Sequence, residues 1–136
     1  MMNLKIDTKE KFTVITPIDT EISAIMSAEL LQACNNLLQE KAKSIVLNLA
    51  EVTLLHSDAI QGITLLQQQF YEKNASFVIC CIQPIVEEQL EASNVLELWN
   101  TTFKESEAWD IVQMEEIERE LMDSDDMDFE KFEVPE

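Results

Sequence analysis

Three consecutive residues, His56, Ser57 and Asp58, carry side chains that could do chemistry. Histidine can act as a base, a serine hydroxyl can accept a phosphoryl group, and aspartate supplies a negative charge. His56 is the only histidine in the sequence, so a multi-histidine zinc site cannot form. Three adjacent residues also cannot adopt the geometry of a Ser-His-Asp triad, which needs side chains from separate elements. The group is therefore more typical of a surface that presents or binds charge than of a catalytic centre.

The sequence carries few other signs of an enzyme. GxGxxG, Walker-type and HExxH motifs do not occur in it. One catalytic alternative is that His56 acts with a nearby carboxylate, for which Asp19, Glu21 and Glu51 are candidates. That arrangement would have one base, no cofactor motif and no evident way to activate a nucleophile. We therefore predict a protein that is not an enzyme and has no catalytic residues, cofactor or metal site.

The elements around residues 56–58 predict where this group lies. Residues 44–49 form an apolar run typical of a strand, residues 58–73 have apolar positions at helical spacing, and residues 76–82 are nearly all apolar. These segments predict a βαβ unit with parallel strands and a right-handed crossover. Residues 56–58 would lie at the end of the first strand and the N-terminus of the helix. The N–H groups and dipole of such a terminus favour an anion.

A purely structural explanation of the same residues stays open beside this one. His56 would hydrogen-bond locally at the end of the loop, and Ser57 would be the N-cap of the helix. Asp58 would be an acid in the first helical turn, worth about 0.3–1 kcal/mol. These roles compete with a functional one without excluding it.

The remaining segments complete an α/β pattern. Two short β-rich runs on either side of TKEK indicate a hairpin. The predicted elements are strands at 3–6, 12–16 and 101–103 and helices at 23–41, 84–92 and 106–122, the last with a break near Val112. Because Gly62 is the only glycine, left-handed backbone should fall on Asn74 or Asn94.

Composition predicts a single domain in the cytoplasm. The chain has 136 residues and 46% apolar content, and no run approaches the roughly 20 apolar residues of a membrane span. Its N-terminus does not resemble a secretory signal. Cys34, Cys80 and Cys81 are odd in number and form no CxxC, which favours buried, reduced thiols. Cys80 and Cys81 should point to opposite faces of a strand.

The charge is strongly negative and uneven. A net charge of −18 argues against binding to nucleic acid or an anionic membrane, both of which attract basic surfaces. Residues 115–136 hold 11 acidic and 2 basic residues. We therefore predict a domain over 1–122 and an acidic, flexible tail over 123–136. Since Phe129 and Phe132 are interleaved with the acids, the tail should order on a basic, apolar partner surface.

Four segments resemble the STAS domains of bacterial anti-sigma-factor antagonists. IVLNL (45–49) resembles the strand IVLDL of that family, and HSDA (56–59) stands where DSSG opens a helix. IQPIVEEQLEASNVLELW (82–99) is similar to a segment of the form SPxVxxxLExSGL, and FKESEAW (103–109) to the start of the last helix. The resemblance covers about 3–120.

The resemblance implies a small mixed β-sheet of about four to five strands with helices packed against it. It also implies a GHKL-type serine kinase as partner, which doubles as an anti-sigma factor in transcription regulation. In that family, phosphorylation of the second serine of DSSG weakens binding. Asp58 stands at that position here, with His56 at the preceding aspartate and Ala59 at the glycine. Asp58 would either mimic phosphoserine partially, with one charge against about −1.5 to −2, or make the site unmodifiable.

Two functions follow from the resemblance. The first is a partner-switching module with a locked or rewired switch. Its switch loop would be His56–Ala59, Ser57 would be the remaining candidate for phosphorylation, and Asp19, Thr20 and Glu51 would extend the partner surface. The second is an accessory STAS subunit of an ABC-type transporter assembly, bound to its ATPase without phosphorylation. The sequence leaves the partner's identity and homodimerisation open.

Overall fold

The computed structural model of the chain describes residues 3–39 and 44–133, with side chains described as far as Leu121. It confirms the predicted α/β class. The strands are β1 (Leu4–Thr8), β2 (Phe12–Pro17), β3 (Glu21–Ile22), β4 (Ser44–Asn48), β5 (Leu54–Leu55), β6 (Phe77–Cys80) and β7 (Thr101–Thr102). The helices are α1 (Ala24–Leu37), α2 (Ser57–Glu72), α3 (Pro84–Ala92) and α4 (Glu105–Glu133), with a short 3₁₀ turn at Leu96–Leu98.

The main sheet has five strands in the order β1-β2-β4-β6-β7. β1 and β2 form the predicted antiparallel hairpin, and β4 and β6 are parallel, as the βαβ prediction requires. Val14, Val46 and Val78 lie in register across the three central strands. One edge is β1, whose side chains are mostly exposed, and the other is β7, with only two residues.

Helices cover both faces of this sheet. Side chains alternate along β6: Phe77 and Ile79 belong to the core under α1 and α2, whereas Val78 and Cys80 belong to the smaller core under α4. This alternation is what an extended strand produces when both of its faces are covered. The nearly continuous apolar run that predicted β6 is therefore explained by burial on two sides.

A second sheet of two strands lies outside the main one. β3 and β5 pair in parallel, with Glu21 opposite Leu54 and Ile22 opposite Leu55. Each strand leads directly into a helix, β3 into α1 and β5 into α2. The apolar run before residue 57 is thus divided between two sheets, a division that the sequence analysis did not predict.

Helix α4 corrects two features of the sequence prediction. The predicted break near Val112 is wrong, because Val112 is a fully buried residue within a continuous helix. The helix also continues past Met122 to Glu133. The domain boundary after residue 122 and the flexibility of 123–136 remain predictions, and residues 134–136 lie outside the described part of the chain.

A polar network holds the middle of α4 against the starts of two strands. The Ser44 hydroxyl at the start of β4 donates to Glu116, and the Ser76 hydroxyl before β6 donates to Glu115. Arg119 Nη2 donates to Ser76 Oγ over 2.7 Å. Tyr71 also donates to Glu115, and burial together with that carboxylate raises the pKa of Tyr71 to about 12. Charged residues near the predicted tail thus belong to the fold.

Among the residues that the structure describes, three other than glycine have left-handed backbone. Asn74 and Asn94 have φ of 62° and 61°, as predicted from the scarcity of glycine. Cys81 has a φ of 62° as well, which the sequence analysis did not predict. Because β6 ends at Cys80 and the chain turns at Cys81, the prediction that the two cysteines point to opposite faces of a strand is wrong. Cys81 packs against the same core as Cys80.

Candidate functional site

The predicted switch loop forms the junction between β5 and α2. His56 is the N-cap of α2, with extended backbone (φ −71°, ψ 155°), and Ser57 is the first helical residue. The His56 N–H donates to the Ile22 carbonyl over 3.1 Å, and its own carbonyl accepts the first intrahelical bond from Ile60 N–H at 3.0 Å. The structural prediction that Ser57 is the N-cap is therefore wrong, because the pairing of β5 with β3 continues up to His56.

The four residues of the loop differ in their exposure. His56, Ser57 and Asp58 are exposed, whereas Ala59 is fully buried in the main core. Asp58 lies in the first turn of α2, where a carboxylate interacts favourably with the helix dipole. The exposed part of the predicted loop thus consists of residues 56–58, and the buried side chain of Ala59 packs into the main core.

His56 is paired with Glu21 across the small sheet. Its Nε2 lies 2.6 Å from Glu21 Oε2. The side chains are 44% and 54% exposed, so water screens the pair and its contribution to stability is small, about 0–1 kcal/mol. Its main effect is to orient the imidazole towards Glu21. Of the three carboxylates that the sequence analysis considered as partners of His56, the structure selects Glu21.

The other predicted surface residues have different surroundings. Asp19 is half-buried and its Oδ2 accepts a hydrogen bond from the Asn3 N–H at 2.9 Å. The carbonyl of Thr20 accepts bonds from the N–H groups of Thr53 and Leu54, at 2.7 and 3.2 Å. Glu51 is exposed in the turn between β4 and β5. Asp19 and Thr20 therefore shape the backbone beside the loop, whereas Glu51 presents a charge to solvent.

Two glutamines of the α3 region also support the site, and neither was predicted from the sequence. Gln83 Nε2 donates to the Ala50 carbonyl over 2.6 Å, and Gln89 Oε1 accepts from the Leu55 N–H over 3.1 Å. These bonds connect α3 to the segment that leads into His56. Glutamine is common on exposed helices, so its presence in the sequence carries no comparable signal.

Exposed apolar side chains occur on three of the elements around this junction, β5, α1 and α3. Leu54, opposite Glu21 in the small sheet, is 38% exposed. Ile25, in the first turn of α1, is 74% exposed. Ile85, in the first turn of α3, is also exposed. Single exposed apolar residues are ordinary, but here they accompany the ends of elements that meet at the loop.

A cavity of about 520 Å³ lies between α3, β7 and α4, and its lining includes Glu87, Thr102 and Ile111. Within residues 3–39 and 44–133, His, Cys, Asp and Glu form no group of three or more that could hold a metal ion. None of the helices described is long and apolar enough to cross a membrane.

Solved structures of other proteins share this fold, among them an antagonist from Mycobacterium, SpoIIAA and part of a murine transporter. An anti-sigma factor antagonist from Mycobacterium paratuberculosis has a TM-score of 0.71 at 13% identity, covering 83% of this chain and 95% of that one. The anti-sigma factor antagonist SpoIIAA of Bacillus, in its unphosphorylated form, has a TM-score of 0.66 at 13% identity, covering 82% and 96%. The murine anion transporter Slc26a9 has a TM-score of 0.63 at 12% identity, covering 76% of this chain and 18% of the transporter.

At these identities the structural matches establish the fold, and the sequence itself establishes the family. No curated protein matches the chain significantly. The family model of the STAS domain, however, matches residues 3–108, most of the chain. The chain therefore belongs to the STAS domain family.

Proposed function

We propose that the chain is a non-catalytic interaction module of a bacterial, cytoplasmic partner-switching system in which the switch is locked or rewired. One observation carries this proposal: an exposed carboxylate, Asp58, lies in the first turn of α2, where the resemblance to antagonists places the phosphoacceptor serine. SpoIIAA, which shares the fold, has been solved in both phosphorylated and unphosphorylated forms.

The composition of the junction favours a partner with basic and apolar groups. Glu21, Glu51 and Asp58 are exposed acids around it. Leu54 and Ile25 add exposed apolar area beside them. Complementary charge would accelerate encounter, while the apolar side chains would contribute to the lifetime of the complex. A GHKL-type serine kinase that acts as an anti-sigma factor is the partner we propose for this surface.

In this proposal Asp58 makes the charge at the loop permanent. A phosphoserine carries about −1.5 to −2 charges and can be dephosphorylated, whereas an aspartate carries about one and cannot. The kinase would then be bound or refused independently of phosphorylation at residue 58. Ser57 stays as a candidate acceptor, since its side chain is exposed at the first helical position.

The replacement Asp58→Ser tests this proposal. It restores a hydroxyl at the family's acceptor position and leaves the rest of the surface unchanged. We expect the variant to gain phosphate when incubated with ATP and the cognate kinase from the same cells, and to change its affinity for that kinase. Asp58→Ala is the matched control, because it removes the charge without supplying a hydroxyl. If Asp58→Ser neither gains phosphate nor changes binding, the locked-switch proposal fails.

A second candidate is an accessory STAS subunit of an ABC-type transporter assembly. The structural match to part of an anion transporter and the absence of a hydroxyl at residue 58 both favour it over an ordinary phosphoswitch. Co-purification from the native cell distinguishes the candidates: recovery of an ATPase with its permease supports this one, and recovery of a kinase or sigma factor supports the first. Recovery of neither class would count against both.

A further inference from the structure

Cys80 and Cys81 have an unusual relation for neighbouring residues at the end of a strand. Successive side chains of an extended strand point to opposite faces, and β6 follows this rule up to Cys80. Cys81 then adopts a φ of 62°, a conformation that is uncommon outside glycine and asparagine. As a result Cys81 packs against the core under α4, on the same side as Cys80.

We propose that Cys80 and Cys81 form a vicinal dithiol site that binds trivalent arsenicals, such as arsenous acid or an organic arsenoxide. Cys80 belongs to the core under α4, and Cys81 packs against that same core. One arsenic atom can therefore bond to both sulfurs without turning either side chain to the other face of the sheet.

The chemistry of the pair favours arsenic(III) over a divalent metal ion. In the part of the chain that the structure describes, these thiols have no third ligand grouped with them, whereas thiolate sites for zinc use four ligands. Metal binding also requires thiolates. Burial, followed by the neighbouring Cys81, raises the pKa of Cys80 well above its usual value, and this disfavours the thiolate.

Condensation with an arsenoxide does not require a thiolate at Cys80, because the groups that react are protonated thiols. Two As–S bonds form while the arsenic–oxygen double bond of phenylarsine oxide breaks, and the two thiol protons leave with the oxygen as one water molecule. Arsenic stays trivalent throughout, so the reaction needs neither an oxidant nor a reductant.

The site can be reached from the side of Cys81. Cys81 is partly buried, whereas Cys80 is fully buried. The Cys81 N–H donates to the Thr102 carbonyl over 3.3 Å, and Thr102 and the adjoining Ile82 line the cavity between α3, β7 and α4. The first As–S bond would therefore form at Cys81, and the second would close onto Cys80.

The test is to add phenylarsine oxide to the reduced, folded, full-length chain. We expect one phenylarsenic group per chain by intact mass, removed by 2,3-dimercaptopropanol and retained in 2-mercaptoethanol. We also expect a higher melting temperature, because a ligand that binds the folded state better than the unfolded state stabilises it. A rise in melting temperature indicates a site that the fold builds. Two adjacent cysteines that bind arsenic equally well in the unfolded chain would give no such rise.

Each thiol can be tested separately, and the chain provides its own control. Cys81→Ala should lose the stable adduct and the thermal shift, and Cys80→Ala should do the same. Cys34→Ala should keep both, since Cys34 is buried in α1 and burial raises its pKa to about 12. Three results would overturn the proposal: no adduct on the folded protein, an adduct that lowers the melting temperature, or a stable adduct retained by Cys81→Ala.

Discussion

Helices α1 and α2 begin side by side, from two strands paired in one small sheet, yet their N-cap residues differ. The N-cap of α1 is Ser23, whose Oγ accepts a hydrogen bond from the Met26 N–H at 3.3 Å. The N-cap of α2 is His56, whose ring is directed to Glu21 across the sheet. A serine at an N-cap accepts a hydrogen bond from a helical N–H. The His56 side chain accepts no such bond, so water or another group must bind the N–H groups at the start of α2.

The comparison separates a structural helix start from a candidate functional one. The α1 start carries its own cap and no acid in its first turn. The α2 start combines an exposed serine, an exposed aspartate and a histidine directed sideways. A helix N-terminus favours negative charge, and Asp58 supplies that charge permanently. Four pairs of substitutions would break or sharpen this contrast.

The largest effect should come from Ile22→Ala, which removes core beneath both helix starts. Ile22 is fully buried and pairs with Leu55 in the small sheet. Truncating a buried isoleucine to alanine costs about 2–5 kcal/mol. Urea denaturation should show this loss, whereas Ile25→Ala, at a side chain 74% exposed, should change the free energy of unfolding little. Similar losses for both variants would show that the small sheet does not anchor the helices.

The second largest loss in the free energy of unfolding should come from removing the N-cap of α1. Ser23→Ala should lower the free energy of unfolding by about 1 kcal/mol, because the Met26 N–H loses its acceptor. His56→Ala should cost less, since it removes only a pair that is partly exposed on both sides. Chemical denaturation of the two variants under identical conditions checks the order. Equal losses, or a larger one for His56→Ala, would contradict the contrast.

A cap introduced into α2 should stabilise the protein modestly. His56→Ser places a preferred N-cap residue where the backbone is already extended. We expect a gain of about 0.5 kcal/mol, reduced by the loss of the contact with Glu21. Glu21→Gln is the control, because it alters that contact and adds no cap. A less stable His56→Ser variant would indicate that the histidine, rather than serine, is the better residue for this helix start.

The smallest effect concerns Asp58 in the absence of a partner. Asp58→Asn should lower the free energy of unfolding by about 0.3 kcal/mol at low salt, because an exposed charge in the first turn interacts with the helix dipole. Glu72→Gln, at the exposed C-terminal end of the same helix, should have the opposite sign. Denaturation at low and high salt checks both, since salt screens such interactions. The same sign for both variants would rule out the dipole explanation.

Much of the fold could be predicted because its signals are local. The hairpin follows from two β-rich runs, β6 from an apolar run covered on both sides, and the turns at Asn74 and Asn94 from the scarcity of glycine. The long helical segments carry apolar residues at regular spacing over several turns. These patterns belong to a single segment and need no knowledge of its neighbours.

The missed features depend on residues far apart in the chain. β3 and β5 have two residues each, too few to show an alternating pattern. The hydrogen bonding between β3 and β5 continues to the His56 N–H and makes His56 the N-cap of α2, so the N-cap could not be assigned from the order His-Ser-Asp alone. Glu21 is one of three carboxylates predicted as partners of His56, but only the pairing in the small sheet selects it.

The two edges of the main sheet have a consequence for aggregation. β1 presents Lys5 and Asp7 along an exposed edge, and β7 is only two residues long. Charged and very short edge strands are poor templates for strands of other molecules. Neighbouring copies therefore have little opportunity to extend the sheet from one molecule to the next, even at high concentration. If two copies associate, they are expected to do so through helices or loops rather than by forming a continuous β-sheet.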